Sequence, residues 1–277
     1  MQQNTISFIG GGNMARSLIG GLIHDGYPAR LIRVADPDQA RLQGLATDFA
    51  VGTSVDNHAV AAEADVLVLA IKPQQMKSAL LPLADIIRQR QPLVISIAAG
   101  LTIASLQTWL GQDSAIVRAM PNTPALVQSG ATALIANTHV TDDQRDIAES
   151  IMRAVGLTLW LDTEDAMNLV TALSGSGPAY FFLIMEALEN AATKLGLKRE
   201  QARLLTLQTA FGAAKMALEC EDEPARLRQN VTSPGGTTEQ ALAVLEDADL
   251  RRILENALHA AEERSRELSQ LLGDPNG

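Results

Sequence analysis

Aromatic residues are scarce: Phe, Trp and Tyr make up 3% of the 277 residues. A core without them has to be built from Ala, Leu, Ile and Val. Cysteine is nearly absent. Cys220 stands alone and cannot close a disulfide within the chain, which fits a reducing compartment. Basic clusters are missing as well. A formal net charge of −10 argues against a nucleic-acid partner, which requires gathered Lys and Arg. No apolar run approaches the roughly 18 residues expected of a membrane-crossing helix. The opening segment, MQQNTISFIG, lacks the basic and apolar regions of a signal peptide. These absences predict a cytoplasmic protein with neither membrane nor nucleic acid among its partners. His24, His58, His139 and His259 are scattered without metal-ligand spacing, so no metal is expected. No His-Glu-x-x-His, paired-cysteine or Gly-x-Ser-x-Gly pattern occurs. Cys220 lies between Glu219 and Glu221 and is a poor candidate nucleophile.

What is present divides into two halves. The composition is 47% apolar and 19% charged, as in a globular protein, and the length suits about two domains. Short apolar runs at 6–9, 31–35, 66–71, 93–97, 115–118, 132–135 and 157–161 predict strands. Stretches of helical spacing, such as 14–24, 38–48 and 142–154, lie between them. Continuous apolar runs such as VLVLAI (66–71) suit strands covered on both faces. Strands alternating with helices give a doubly wound α/β domain. Beyond about residue 162 the strand signal fades. Helices are predicted over 178–195, 201–219 and 250–272. The first is apolar on nearly every side, as for a helix buried against a second subunit. The expected division is 1–162, a dinucleotide-binding domain, and 163–277, an all-α domain.

Gly10, Gly12 and Ala15 form Gly-x-Gly-x-x-Ala between a predicted strand and a predicted helix that begins near Asn13 and Met14. That context points to a dinucleotide pyrophosphate seated on a helix N-terminus. Gly11 is an x of the motif, with no expected role. Asp36 closes the second strand about 20 residues on, where an acid commonly receives a ribose 2′-hydroxyl. An equal reading makes it a cap for the next helix, whose first turn includes Asp38. Arg33 and Arg41 are near enough in sequence to receive a phosphate, so NADP stays open. Ala70, Lys72 and Pro73 end one strand. Ala98 and Ala99 end the next, and Asn122, in MPNTP, follows a third. Together they line the carboxyl edge of the sheet, where such folds bind ligands. In the second half, LSGSGPAYFF (173–182) and VTSPGGTTEQALAVL (231–245) each set hydroxyls and backbone N–H groups at a predicted helix start. That arrangement suits a small carboxylate. The plainer reading of the second segment is a capping box from Thr237 to Gln240.

These motifs, in this order and over nearly the whole length, make the chain similar to pyrroline-5-carboxylate reductases. The marks are FIGGGNMA (8–15), AIKPQ (70–74), SIAAG (96–100), MPNTP (120–124), LSGSGPAYFF (173–182) and VTSPGGTTEQAL (231–242). The resemblance implies a Rossmann-type N-terminal domain and a helical C-terminal domain that intertwines with a partner. It implies a homodimer, often assembled further into a decamer. The implied reaction is hydride transfer from NADPH or NADH to the C=N carbon of 1-pyrroline-5-carboxylate, giving L-proline. It places Thr238 near the imine nitrogen, and the N–H groups of Gly235, Gly236 and Thr237, with Ser233, at the substrate carboxylate. Ser176, Gly177 and Pro178 would line the site, and Asn57 would touch the adenosine part. Family members mostly prefer NADPH and often carry Ser or Arg near position 36. With Asp36 there, useful activity with NADH is expected. Two other readings are a related imine or β-hydroxyacid oxidoreductase and a non-catalytic dinucleotide sensor. The first needs a helical lysine in a Gly-x-x-x-Lys setting, which neither Lys194 nor Lys215 has. The second has no need of the Ser-Pro-Gly-Gly-Thr-Thr loop.

Overall fold

The computed structural model describes residues 4–273. Eight strands form one sheet: β1 (Ile6–Ile9), β2 (Ile32–Ala35), β3 (Gly52–Ser54), β4 (Val66–Leu69), β5 (Leu93–Ser96), β6 (Ile116–Met120), β7 (Gly130–Ala136) and β8 (Gly156–Trp160). Their order is β3-β2-β1-β4-β5-β6-β7-β8. Neighbours run parallel except β6 and β7. The chain reverses its direction across the sheet between β1 and β4. That switch point opens a crevice at the strands' carboxyl ends.

Both faces of the sheet are covered. Helices α1 (Asn13–His24), α2 (Gln39–Phe49) and, later in the chain, α7 (Asp142–Arg153) supply Leu18, Leu22, Leu45 and Ile151 to one core, with Phe8 and Val34. Helices α3 (Asn57–Ala62), α4 (Pro73–Leu80), α5 (Ala84–Arg90) and α6 (Ile103–Leu110) supply Val60, Met76, Ile87 and Leu106 to the other. Burial on two faces explains why strands such as VLVL (66–69) are apolar throughout.

The remaining helices are α8 (Ala166–Val170), α9 (Gly177–Lys194), α10 (Arg199–Glu219), α11 (Pro224–Asn230), α12 (Thr237–Asp247) and α13 (Leu250–Gly273). The chain forms two compact units. One runs to Ser176 and takes in the chain from Ala261 onward; the other is Gly177–Ala260. This differs from the division expected at residue 162. Met167 and Ala172 are fully buried, Met167 within the α3–α6 core. The far half of α13 returns to the same unit. Ser265 Oγ is hydrogen-bonded to Asn168 Oδ1 at 2.9 Å, and Arg266 pairs with Asp165 at 3.1 Å.

One helical stretch, Ala166–Lys194, is long and apolar enough by length and composition to cross a membrane. The sequence spacing places the helix start at 178, with LSGSG ahead of it. The chain instead continues through that segment as a π turn, Thr171–Gly175, joining α8 to α9. In the second unit, Phe181, Phe182, Leu183, Leu204, Leu205 and Phe211 are exposed, so the burial expected of α9 is not met within one chain.

Candidate active site

The glycine loop leaves β1 at the switch point. Gly10 has φ +100°, and a Cβ there would lie 2.5 Å from the carbonyl oxygen of Ala70. Its N–H donates to Ala35 O at 2.7 Å. The position therefore needs glycine for both its dihedral and its neighbour. Gly12 caps α1 with extended backbone, and a Cβ there would meet nothing within 4 Å. The first intrahelical bond runs from Arg16 N–H to Gly12 O. The N–H groups of Asn13, Met14 and Ala15 precede it and point to the helix mouth. An open approach and unengaged N–H groups are what a pyrophosphate requires. Ala15 is buried against the strand, as the motif implies.

Asp38, not Asp36, caps α2, accepting from Ala40 and Arg41 N–H. The Asp36 carboxylate turns inward and its side chain is 5% exposed. Oδ2 accepts from Gly11 N–H at 2.8 Å and from Arg41 Nη1 at 2.9 Å; Oδ1 accepts from Asp38 N–H at 2.9 Å. Burial pushes this carboxyl upward, but the three hydrogen bonds and the charge of Arg41 outweigh it, and the group is held below the ordinary carboxylate range. Asp36 thus braces the glycine loop from within. Gly11 is the residue it grips, so Gly11 is not incidental. A Cβ on Gly11 would also meet Leu45 Cδ1 at 2.9 Å.

Around the crevice, Ala70 N–H donates to Ile9 O at 2.8 Å, and exposed Lys72 precedes α4 with Pro73 at its first position. Ala98 is buried and Ala99 half-buried. Gly100, beyond them, is backed by Leu268 and Leu272 of α13. Asn57 opens α3, which Asp56 caps through His58 N–H.

Asn122 is engaged within the protein. Its Oδ1 accepts from Ala131 N–H at 2.9 Å, and its Nδ2 donates to Ser174 O at 3.1 Å. The second bond has a cause in the sequence. Pro178 has no N–H to give to the carbonyl four residues back, so Ser174 O is orphaned by the helix. The π turn accommodates the proline, with Ser176 N–H reaching Thr171 O at 2.9 Å. The expectation of free N–H groups at a helix start therefore fails at LSGSGP: Ser176 lies inside a continuous helix, and its N–H is taken. Asn122, a residue expected at the cofactor, fixes the turn that carries Ser174 and Ser176.

In the second unit the turn before α12 is built around Gly235, with φ +72°. Gly236 N–H donates to Ser233 O at 3.0 Å, and Gly235 N–H to Glu239 Oε2 at 2.8 Å. Gly236 is the cap of α12 and no side chain caps it, so the Thr237–Gln240 box does not form. Two N–H groups expected at the substrate carboxylate are thus bonded internally. Those of Thr237 and Thr238 precede the first helical bond, from Gln240 N–H to Gly236 O. Ser233 and Thr237 are exposed and Thr238 half-buried. Among the described residues no group of acidic, His and Cys side chains is arranged to hold a metal.

A pyrroline-5-carboxylate reductase of Pseudomonas aeruginosa is 51% identical to this chain over 273 residues, spanning 99% of the chain and all of the relative. The chain belongs to the pyrroline-5-carboxylate reductase family. A relative from Pasteurella multocida bearing the same name is 44% identical over 98% of the chain. The solved pyrroline-5-carboxylate reductase of Coxiella burnetii superposes with a TM-score of 0.93 at 53% identity, covering 97% of this chain and 99% of that one. The Plasmodium falciparum reductase, solved with NADP bound, gives a TM-score of 0.86 at 30% identity, covering 97% and 99%. Residues 164–268 match the family model for pyrroline-5-carboxylate reductase dimerisation. Residues 5–100 match the model for coenzyme F420-dependent NADP oxidoreductases.

The dimerisation match spans the exposed apolar residues of α9 and α10 and supports self-association. Three features of this reductase family member escaped the sequence reading: the grip of Asp36 on Gly11, the brace from Asn122 to Ser174, and the bond of Glu239 to Gly235. Only the second had a sequence signal, Pro178 four residues after Ser174.

Proposed function

We propose that the protein reduces 1-pyrroline-5-carboxylate to L-proline with NADPH or NADH, as the last step of proline biosynthesis. The observation that carries this reading is whole-length identity of 51% to a named reductase, with both glycine-turn motifs intact. Residues 1–162 would serve the dinucleotide, and 163–277 the substrate and a second copy. When bound, the dinucleotide supplies hydride; the protein's part is position and electrostatics.

The chain's own groups divide that work. The N–H groups of Asn13 and Met14, reached past Gly12, receive pyrophosphate. Ala70, Lys72, Pro73, Ala98 and Ala99 form the crevice wall, with Asn57 toward the adenosine end. The hydroxyls of Ser233 and Thr237 and the N–H groups at the start of α12 hold the substrate carboxylate. Ser176 lines the site. The Thr238 hydroxyl oxygen accepts a hydrogen bond from the protonated ring nitrogen and orients it as hydride arrives at carbon. The substrate nitrogen carries its own proton, so the protein needs no strong acid. The working unit is a homodimer, assembled further into a decamer, in the cytoplasm, with neither membrane nor nucleic acid involved.

Thr238→Ala removes one hydrogen bond to a cationic nitrogen. We expect kcat/KM for pyrroline-5-carboxylate to fall about tenfold, with the dinucleotide Kd unchanged. Steady-state kinetics and fluorescence titration of NADPH check both parts. Full activity in that variant removes Thr238 from the reaction.

A further inference from the structure

On the reading that this chain is an NAD(P)H-dependent reductase, we propose that Arg41 is its specificity-determining residue: its guanidinium receives the 2′-phosphate of NADPH and makes that cofactor acceptable beside Asp36. Three observations place the side chain. Its Nη1 lies 2.9 Å from Asp36 Oδ2 and its Nη2 3.7 Å from Asp38 Oδ2. Its Cδ would be 3.5 Å from a Cβ built on Gly11, so its stem runs along the glycine loop. Its side chain is 46% exposed, while that of Asp36 beneath it is 5% exposed. Of the Asp36–Arg41 pair, the member presented to a ligand at the end of β2 is therefore the cation.

The other nearby cation is occupied elsewhere. Arg33 Nη2 pairs with Glu63 at 2.9 Å, and Nη1 lies over Gly52 of β3. Removing Arg41 would leave two carboxylates, Asp36 and Asp38, facing an incoming dianion. A guanidinium fork suits phosphate oxygens as well as carboxylate oxygens, so it can exchange one for the other. NADH, which has a hydroxyl at that position, gains little from the exchange. Asp36 keeps its place without Arg41 through the N–H groups of Gly11 and Asp38, so the loop does not depend on the cation.

The test is equilibrium binding to the full-length protein without pyrroline-5-carboxylate, using NADPH, NADH, adenosine 2′,5′-bisphosphate and 5′-AMP. In Arg41→Gln, we expect the Kd for NADPH and for the bisphosphate to rise about tenfold or more. Those for NADH and 5′-AMP should stay within about twofold. The salt dependence of NADPH binding should become shallower, and Arg41→Lys should recover part of the loss. A parallel loss for NADH and NADPH, or no loss for NADPH, overturns the assignment. Failure of the unmodified protein to bind either dinucleotide overturns the reductase reading itself.

Discussion

Gly10→Ala is expected to destabilise the protein by about 2–5 kcal/mol and to abolish tight dinucleotide binding. The figure combines roughly 1–2 kcal/mol for a side chain at positive φ with 1–3 kcal/mol for overpacking. The overlap is with a backbone carbonyl, Ala70 O at 2.5 Å, and cannot be relieved by a rotamer change. Moving Ala70 would disturb its bond to Ile9 O and the spacing of the switch point. The comparison that isolates the cause is Gly12→Ala. There a Cβ meets no protein atom within 4 Å and φ is −68°. That variant should stay within about 1 kcal/mol of the parent, the range for a changed helix cap. Its Cβ nevertheless stands where a pyrophosphate would approach, so dinucleotide affinity should fall. Thermal unfolding and NADPH titration of the two variants separate fold from binding. Equal melting temperatures for both would contradict the account of Gly10.

Asn122→Ala should cost about 2 kcal/mol, because two backbone groups, Ser174 O and Ala131 N–H, each lose a partner. The larger consequence is kinetic. The π turn carrying Ser176 loses its tie to the loop after β6, and kcat/KM for pyrroline-5-carboxylate should drop by more than tenfold. Asn122→Asp distinguishes the two bonds. It keeps an acceptor for Ala131 N–H and loses the donor to Ser174 O, so it should recover stability more than activity. Dinucleotide Kd is the deciding control. A brace leaves it nearly unchanged, whereas a direct cofactor ligand does not.

The main plan of the fold was legible because burial on two faces writes apolar runs into the strands. Ile6–Ile9 and Val66–Leu69 are examples. Strand β3 was missed: its three residues, Gly-Thr-Ser, are polar and only partly covered at the sheet's edge. The helix joining Ala166 to Lys194 was missed for a different reason. Ser and Gly at 174–177 signal a break locally, and only tertiary support, Asn122 on Ser174 O, lets the chain pass through as a π turn. The glycine motif was read correctly in place but incompletely in cause. Spacing identifies Gly10 and Gly12 by what a ligand needs. The requirement at Gly11 comes from Asp36, 25 residues away, and no local pattern encodes it. The turn at 233–238 was found by its composition. Which of its N–H groups remain unengaged depended on Glu239, whose bond to Gly235 is a matter of side-chain reach.

The most direct test of the central claim is turnover. Purified full-length protein is mixed with 1-pyrroline-5-carboxylate and either NADPH or NADH, and both dinucleotide oxidation and proline are measured. The account predicts one proline formed per dinucleotide oxidised, with activity from both cofactors. Tight binding of either dinucleotide with no proline formed from pyrroline-5-carboxylate would contradict it.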